Sequence, residues 1–340
     1  MRESLLFPYG DARVAARLKS VPADFEVEEQ LGFEMDGEGE HLFLWVEKSG
    51  LGTAELIERM ARDFGLAPSA FGYSGLKDKH ALTRQWLSLH LPGKSDPFER
   101  PEGDGYRVLR QQRHTKKLRP GTHRYNRFRL LLREVDALAE PTRAQIDAIR
   151  SGGFANYFGY QRFGRNADNV EQALQTLGRR RVSRRQQGIL LSALRSHLFN
   201  RVLRRRIELG HWCEPLQGDV FMLRGSHSIF SEIPDDALRE RFRQLDISSC
   251  ASLYGSGRNL LSGAALEIER EQQAAAGDII DCLQRYRSRL QMRALRALAE
   301  EFEFEYDAAR KCLRLEFKLA AGSYATSLLQ HFLLLEDASR

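Results

Sequence analysis

Asp78 is the residue whose neighbours best equip it for chemistry. It stands between Lys77 and Lys79 in the string Gly75-Leu76-Lys77-Asp78-Lys79-His80-Ala81, which joins two stretches that read as strands. Flanking cations favour the ionised carboxylate, and a carboxylate kept charged in a partly dry pocket can serve as nucleophile or base. Taken by itself, an aspartate in a loop is also a common turn or capping residue. Several familiar chemistries are excluded. The chain has no Gly-x-x-x-x-Gly-Lys-Ser/Thr loop, no Gly-x-Ser-x-Gly and no His-Glu-x-x-His, and Gly255-Ser256-Gly257 lacks the third glycine of a dinucleotide site. Cys213, Cys250, Cys282 and Cys312 form no CxxC pair, so they are expected to be reduced core residues and no metal site is expected.

The charge pattern points to a partner. The 340 residues carry a net charge of +6, which conceals an uneven distribution. Residues 106–133 hold ten Lys or Arg and no carboxylate, and residues 161–206 hold twelve Arg against Asp168 and Glu171. Each stretch therefore carries +10, and the rest of the chain, with 30 basic against 44 acidic residues, carries −14. A solvated helix face would account for one such run. Two on an otherwise acidic protein are the footprint of a polyanion, and nucleic acid is the expected partner. At 42% apolar and 29% charged residues the composition is that of a globular protein. No apolar run approaches the roughly 18 residues of a membrane span, and Met1 to Gly10 lacks the regions of a signal peptide, so a cytoplasmic protein is expected.

The residues from Gly75 to Trp86, Gly-Leu-Lys-Asp-Lys-His-Ala-Leu-Thr-Arg-Gln-Trp, resemble the signature of the TruD family of tRNA pseudouridine synthases, whose Gly-Leu-Lys-Asp loop carries the catalytic aspartate. The resemblance runs along nearly the whole chain. Lys19, Pro22, Asp24-Phe25, Val27 and Glu28 are similar to the family's opening block, and Gly39-Glu40-His41-Leu42 with Val46-Glu47-Lys48 to the next. Lys117-Leu118-Arg119-x-Gly121 and Asn126-x-Phe128 follow, then Asn156-Tyr157-Phe158-Gly159-x-Gln161-Arg162-Phe163-Gly164, and finally Gly322-Ser323-Tyr324-Ala325-Thr326. There are departures: Ala155 and Ala320 replace usual prolines, Tyr125 replaces a glycine, and 249–253 (Ser-Cys-Ala-Ser-Leu) replaces Pro-Thr-Gly-Pro-Leu. None removes a group the reaction needs, so what they bear on is substrate preference.

The resemblance implies an isomerase of tRNA, with uridine 13 of the D arm as the family's usual target, needing neither metal nor cofactor and no obligatory protein partner. It implies Asp78 as the catalytic residue, either attacking ribose C1′ or removing the C2′ proton of an extruded nucleotide. Lys19 becomes the basic partner of that carboxylate, while Lys77 and Lys79 are expected to point outward or to reach backbone phosphate. Phe25 and Tyr324 match positions that line the base site, and Asn126 one that hydrogen-bonds the nucleotide. Arg179, Arg180 and Arg181, with Lys116, Lys117 and Arg119, are the expected phosphate contacts. His80, Trp86 and His90 are read as packing residues. The competing reading is a tRNA-binding or RNA-folding protein without chemistry, which would have no need of Asp78. A metal-dependent nuclease lacks a visible cluster of acids.

Positioning these residues requires strands near both chain ends. Alternation marks 24–30, with Phe25 and Val27 on one face, and 41–46, with Leu42, Leu44 and Val46 opposite Phe43 and Trp45. A helix capped at Thr53 follows, with Leu56, Ile57, Met60, Ala61 and Phe64 on one stripe and Gly65 past its end. Strands are expected near 70–74, 83–91 and 127–133, then a helix from Glu140 to Gly152-Gly153. Residues 167–210 read as two or three Arg-rich helices, and a helix carries Ile279, Leu283, Tyr286 and Leu290. Alternating runs at 302–306 and 313–319 close the chain as a hairpin. The expected fold is α+β: a pseudouridine-synthase-like catalytic domain with a mixed, mainly antiparallel sheet flanked by helices, from residues 1–153 and 299–340, plus an inserted α/β (TRUD) domain, 154–298. One base pocket holding Asp78 and Tyr324 requires the two terminal stretches to fold together.

Overall fold

The computed structural model describes residues 5–11, 13–93, 101–164 and 166–339. The chain forms two compact units. A helical unit takes the N-terminal stretch to Asp11, Asp147–Leu298 and Ser323–His331, and a sheet unit takes the intervening chain to Ile146, Ala299–Gly322 and the chain from Phe332 onward. The helical unit thus holds more than the expected insert, because aromatic residues from both chain ends are buried there. Phe7 packs on Tyr157 and His331 with ring centroids 6.3 and 4.7 Å apart, and the Tyr9 hydroxyl donates to the Gly153 carbonyl at 3.0 Å.

The sheet unit begins with β1 (Val14–Leu18), β2 (Phe25–Leu31) and β3 (His41–Lys48), followed by α1 (Thr53–Asp63), β4 (Phe71–Tyr73), β5 (Leu82–His90), β6 (Glu102–Gly103), β7 (Tyr106–His114), β8 (His123–Leu132) and the first half of α2 (Glu140–Gly152), which crosses into the helical unit at Asp147. The alternating pattern sets the faces: Leu42, Leu44 and Val46 of β3 and Leu87 and Leu89 of β5 form one core with Leu56, Ile57 and Met60 of α1. Burying each of these side chains contributes roughly 1.5–3 kcal/mol. Gly65, at φ 63°, ends the helix as expected. The N-cap is Gly52 rather than Thr53; its N–H donates to the Glu55 carboxylate at 2.8 Å, and the Thr53 hydroxyl is engaged elsewhere.

The helical unit continues with β9 (Phe154–Ala155), α3 (Asn169–Thr176), α4 (Arg184–Glu208), β10 (Val220–Leu223), β11 (Ile229–Ser231), α5 (Asp236–Arg243), β12 (Ile247–Leu253), α6 (Gly263–Ala274), α7 (Gly277–Gln284), β13 (Gln291–Ala294) and β14 (Arg296–Ala297). Ser183 caps α4 by accepting the Gln186 N–H, and the stripe Leu190, Leu194 and Leu198 packs with Ala173, Leu177, Ile279 and Leu283. A sheet of order β11-β10-β12-β13, antiparallel at each pairing, completes the unit. Helix α7 is shorter than its apolar spacing suggests: Leu290 lies beyond it because 288–290 exchange backbone hydrogen bonds with Ser256. Cys250, Cys282 and Cys312 are buried as expected, whereas Cys213 is exposed in the loop after α4.

The chain ends with β15 (Ala299–Asp307), β16 (Cys312–Ala320), α8 (Ala325–Leu329) and β17 (Leu333–Asp337). The hairpin β15–β16 joins the main sheet, whose order is β15-β16-β8-β2-β5-β3-β7-β6 with β4 also on β5, and β17 pairs in parallel with β1. Within the nine-stranded sheet only β2 and β5 run parallel, so it is mixed and mainly antiparallel, as expected. That parallel pair places the start of β5, where the Asp78 loop ends, beside β2.

Candidate active site

Three neighbouring strands turn from apolar to polar along the face that α1 covers. On β3 the inward series runs Leu42, Leu44, Val46, Lys48; on β5, Leu89, Leu87, Gln85, Thr83; on β2, Phe25, Val27, Glu29. The register Lys48↔Thr83↔Val27 places Lys48 beside Thr83 at the end of the sheet where the 75–81 loop enters β5; β2 runs parallel to β5, so Phe25 lies at that end and Glu29, just past the Glu28↔Arg84 pair, falls level with Gln85. All of these side chains are buried. Buried polar groups must find partners or cost several kcal/mol; Lys48 and Glu29 find theirs in that loop, Gln85 Oε1 finds Thr53, and Thr83 Oγ1 has none among the described residues.

The loop is held from below at three points. The Thr53 hydroxyl accepts the Lys77 N–H at 2.8 Å and donates to Gln85 Oε1 at 2.9 Å, which ties the loop to the first turn of α1. Lys77 turns inward, and its Nζ donates to Glu29 Oε2 at 2.6 Å. This overturns the expectation that Lys77 faces outward: a buried carboxylate, itself braced by the Trp86 N–H at 3.2 Å, claims it. Burial pushes the Glu29 carboxyl above its ordinary range, and Lys77 pulls against that. A Cβ on Gly75 would sit 3.0 Å from both Lys77 Nζ and His123 Cε1, so a side chain there would disturb this pair. Third, Lys48 Nζ donates to the main-chain carbonyl of Asp78 at 2.7 Å. Lys79 points outward, to Glu55 at 2.9 Å.

Asp78 itself is partly exposed, and its Oδ2 pairs with Lys19 while its Oδ1 accepts the His80 N–H at 3.0 Å. Burial pushes the carboxyl up, but the hydrogen bond and charge of Lys19, with the His80 N–H, outweigh it and hold the group below the usual carboxylate range. Lys19 is buried, with its backbone in the left-handed region at φ 59° and its ammonium 4.7 Å from the centre of the Phe25 ring. A non-glycine residue costs about 1 kcal/mol in that conformation. Asp337 Oδ2 lies 3.8 Å from the same ammonium. The arrangement keeps a carboxylate ionised, oriented and open on one side, as a nucleophile or base requires.

The remaining expected site residues divide. Phe25 is buried between Lys19 and Phe128, whose ring centroid is 6.0 Å away, so its ring supports the lysine. Asn126, opposite Glu29 in the β2–β8 register, lies on the same face; its Nδ2 is 3.1 Å from His123 Nε2 and its Oδ1 is buried without a donor among the described residues. Burial and the charge of Lys77 hold His123 down at about 4, so it is neutral near pH 7. Tyr324 belongs to the helical unit, where its hydroxyl accepts from Arg162 at 2.5 Å and its ring lies 6.1 Å from that of Phe158. Lys19, Phe25, Asp78 and Asn126 are thus gathered in the sheet unit, and Tyr324 is not among them. Lys48, Glu29 and Thr53 were not anticipated. For Lys48 and Glu29 the signal was present, since each occupies the next inward position of an alternating apolar series.

Of the expected phosphate contacts, Arg179, Arg180 and Arg181 are exposed on the turn between α3 and α4 and form no ion pair among the described residues; neither do Arg184 and Arg185. Lys116 and Arg119 are likewise exposed in the β7–β8 loop without an ion pair among the described residues, while Lys117 donates to the Ser69 carbonyl at 3.0 Å. Among the described residues no group of three His, Cys, Asp or Glu is placed to hold a metal, and no helix is long and apolar enough to cross a membrane.

Departures from the family pattern have local partners. The Ala155 N–H, which a proline would lack, donates to His331 Nε2 at 3.0 Å. Ser249 donates to Asp219 at 2.7 Å and Ser252 to Glu269 at 2.5 Å, both buried carboxylates. The Tyr125 hydroxyl reaches Glu300 at 3.4 Å.

Comparison with known proteins agrees with this geometry. The family model for tRNA pseudouridine synthase D (TruD) matches residues 5–171 and 165–332. The chain is 40% identical to tRNA pseudouridine synthase D of Methylococcus capsulatus over 326 residues, 95% of this chain and 92% of that one. It is also 40% identical to the protein of that name from Ectopseudomonas mendocina over 335 residues, 98% and 95% of the two chains. A TruD crystal structure from Methanosarcina mazei superposes with a TM-score of 0.72 at 22% identity, covering 96% of this chain and 95% of the other, which shows the shared fold.

Proposed function

The chain belongs to the TruD family of tRNA pseudouridine synthases, and we propose that within it Asp78 carries the isomerisation of uridine 13 in the D arm of tRNA. The protein is an isomerase that converts a tRNA uridine to pseudouridine. The bond from ribose C1′ to uracil N1 breaks, the base turns, C5 joins C1′, the C5 proton leaves and N1 gains one, so no electrons are exchanged with a second reactant. The observation that carries the assignment is the Lys19–Asp78 pair, which keeps the carboxylate ionised at the open end of a sheet whose inward face is otherwise dry.

In this reading the sheet unit is the catalytic one. Asp78 meets the sugar of an extruded nucleotide, either at C1′ or at the C2′ proton. Lys19 keeps the carboxylate charged, Phe25 shapes the wall against which Lys19 lies, and Asn126 hydrogen-bonds the nucleotide. Arg179 to Arg181 with Lys116, Lys117 and Arg119 hold RNA phosphates, and the protein works in the cytoplasm. A protein that only bound tRNA would have no use for an ionised aspartate held by Lys19, the His80 N–H and Lys48. Unmodified tRNA transcripts incubated with the protein and mapped by carbodiimide adducts should show a stable adduct at uridine 13. Asp78→Asn should abolish it with tRNA affinity kept within several-fold, because only the ionisable oxygen is lost. Turnover by that variant would remove Asp78 from the chemistry, and an adduct elsewhere would correct the position.

A further inference from the structure

Beneath the site lies a lysine with no part in the bond changes of the isomerisation. Lys48 is 1% exposed, the last residue of β3, at a position its strand otherwise fills with Leu42, Leu44 and Val46. An ammonium in a dry place costs stability unless it is well compensated, yet its hydrogen bond goes to no carboxylate. It goes to the main-chain carbonyl of Asp78, at 2.7 Å. A methionine or leucine there would fit the series and the core. The charge is therefore placed where it touches the backbone of the catalytic residue.

We propose that Lys48 is a positioning residue for the isomerisation: its ammonium fixes the Asp78 carbonyl and with it the direction in which the carboxylate points. The proposal rests on the reading of Asp78 as the catalytic group. Lys19 holds the side chain from one side, and Lys48 holds the backbone from beneath; Thr53 and Lys77 anchor the residue before it. Losing the Lys48 bond would leave the carboxylate charged but free to swing, and small misplacements of a reacting group are costly in rate.

The same placement makes the loop sensitive to alkali. Burial lowers the Lys48 pKa to about 8, with Asp78 and Glu55 pulling it up and Lys77 pushing it down. The groups facing it are Asp78 and Lys77 of the loop and Glu55 of α1, with uncharged Thr83 and Gln85 on the neighbouring strand. The ammonium is present below that pH and is lost as pH rises through it, leaving a neutral amine with a weaker bond to the carbonyl.

The test uses the full chain and an unmodified tRNA transcript, measuring kcat, tRNA affinity and the pH profile for parent, Lys48→Met, Lys48→Gln and Asp78→Asn. Lys48→Met should lose at least about tenfold in kcat, keep tRNA affinity within about twofold, and lose the decline that the parent shows above pH 8. Its thermal midpoint should equal or exceed the parent's, because a buried charge has been removed. Lys48→Gln, which is neutral but retains a donor, should recover part of kcat and show the same flat profile; it also serves if the methionine variant does not fold. A parent-like kcat, or an alkaline decline that persists in both variants, would overturn the proposal. So would a lower midpoint with weaker tRNA binding, which assigns Lys48 to the fold alone. Turnover by Asp78→Asn would instead remove the premise, whatever the Lys48 variants do.

Discussion

Two populations of cations in this molecule behave in opposite ways. Lys19, Lys48 and Lys77 are buried, and each has a defined acceptor: the Asp78 carboxylate, the Asp78 carbonyl and Glu29. Arg179, Arg180, Arg181, Arg184 and Arg185 are exposed, with no ion pair among the described residues. The buried group acts through single bonds in a poorly screened setting, where removing one partner of the Lys19–Asp78 or Lys77–Glu29 pair leaves the other charge uncompensated. The exposed group acts together, as a field screened within about 8–10 Å by salt. Chemistry at Asp78 should therefore be sensitive to individual lysines and indifferent to salt, and RNA binding should be the reverse.

The largest expected effect comes from the buried side. Lys19→Met leaves Asp78 with its burial and without its main compensation, so kcat should fall by about a hundredfold or more while tRNA affinity changes little. The sign of the pH effect follows. The carboxyl is depressed in the parent, so activity there is lost only as pH falls through that low value; without Lys19 burial dominates, and the acid limb should move to higher pH. A kcat/KM profile with an unmoved acid limb would show that Lys19 does not set the charge of Asp78, and the comparison would fail on that side.

An intermediate effect is expected from replacing Arg179, Arg180 and Arg181 together by alanine. The slope of log affinity against log salt should become shallower by about 2 to 3, as expected for three lost phosphate contacts, with kcat at saturating tRNA unchanged. Binding should weaken alike for all tRNAs. A slope equal to the parent's would place the RNA on other residues.

The smallest effect is expected from arginines that look the same on paper. Residues 106–133 also carry +10, but in the folded sheet Arg107 meets Glu47 at 2.7 Å, Arg127 meets Glu316 at 2.6 Å, Arg129 meets Glu28 at 3.3 Å and Arg133 meets Asp24 at 2.7 Å. Arg129→Gln should leave the salt slope unaltered and change stability by no more than about 1 kcal/mol, the usual scale of a part-exposed pair. A marked flattening of the slope would mean that pairing across strands does not withdraw an arginine from the RNA, which would undo the distinction drawn here.

That third case shows what the sequence could and could not say. Charge counted along the chain gives both stretches the same weight, because the carboxylates that pair with Arg107, Arg127, Arg129 and Arg133 arrive from β2 and the turn before it, from β3 and from β16, distant in sequence and adjacent only in the sheet. Strand and helix positions near Asp78 were legible, since alternation and the α1 stripe are local signals that tertiary packing reinforces. Glu29, inside the expected strand 24–30, and Lys48, inside a matched block, gain no role from the sequence because alternation alone does not show that a charged inward position is covered by a loop. Here both are buried beneath the 75–81 loop. Tyr324 was expected beside Asp78 from its place in a motif; its packing on Phe158 and Arg162 depends on the 156–164 segment, which no pattern in 322–326 reveals.

The alternation of Lys77 inward and Lys79 outward gives the loop a built-in chemical clock. An amine-acylating reagent should label Lys79, about half exposed, promptly, whereas Lys77, Lys48 and Lys19 must wait for the segment to come away from the sheet. The ratio of slow to fast labelling, read by mass spectrometry from one peptide that contains both Lys77 and Lys79, measures how often the loop lifts. Because Lys77 is tied to Glu29 and Lys48 to the Asp78 carbonyl, the two should become reactive in step if the loop opens as one piece, and out of step if it frays from one end. Bound tRNA should slow both together, so the reagent would report the closing of the site on its substrate without any probe being introduced into the protein.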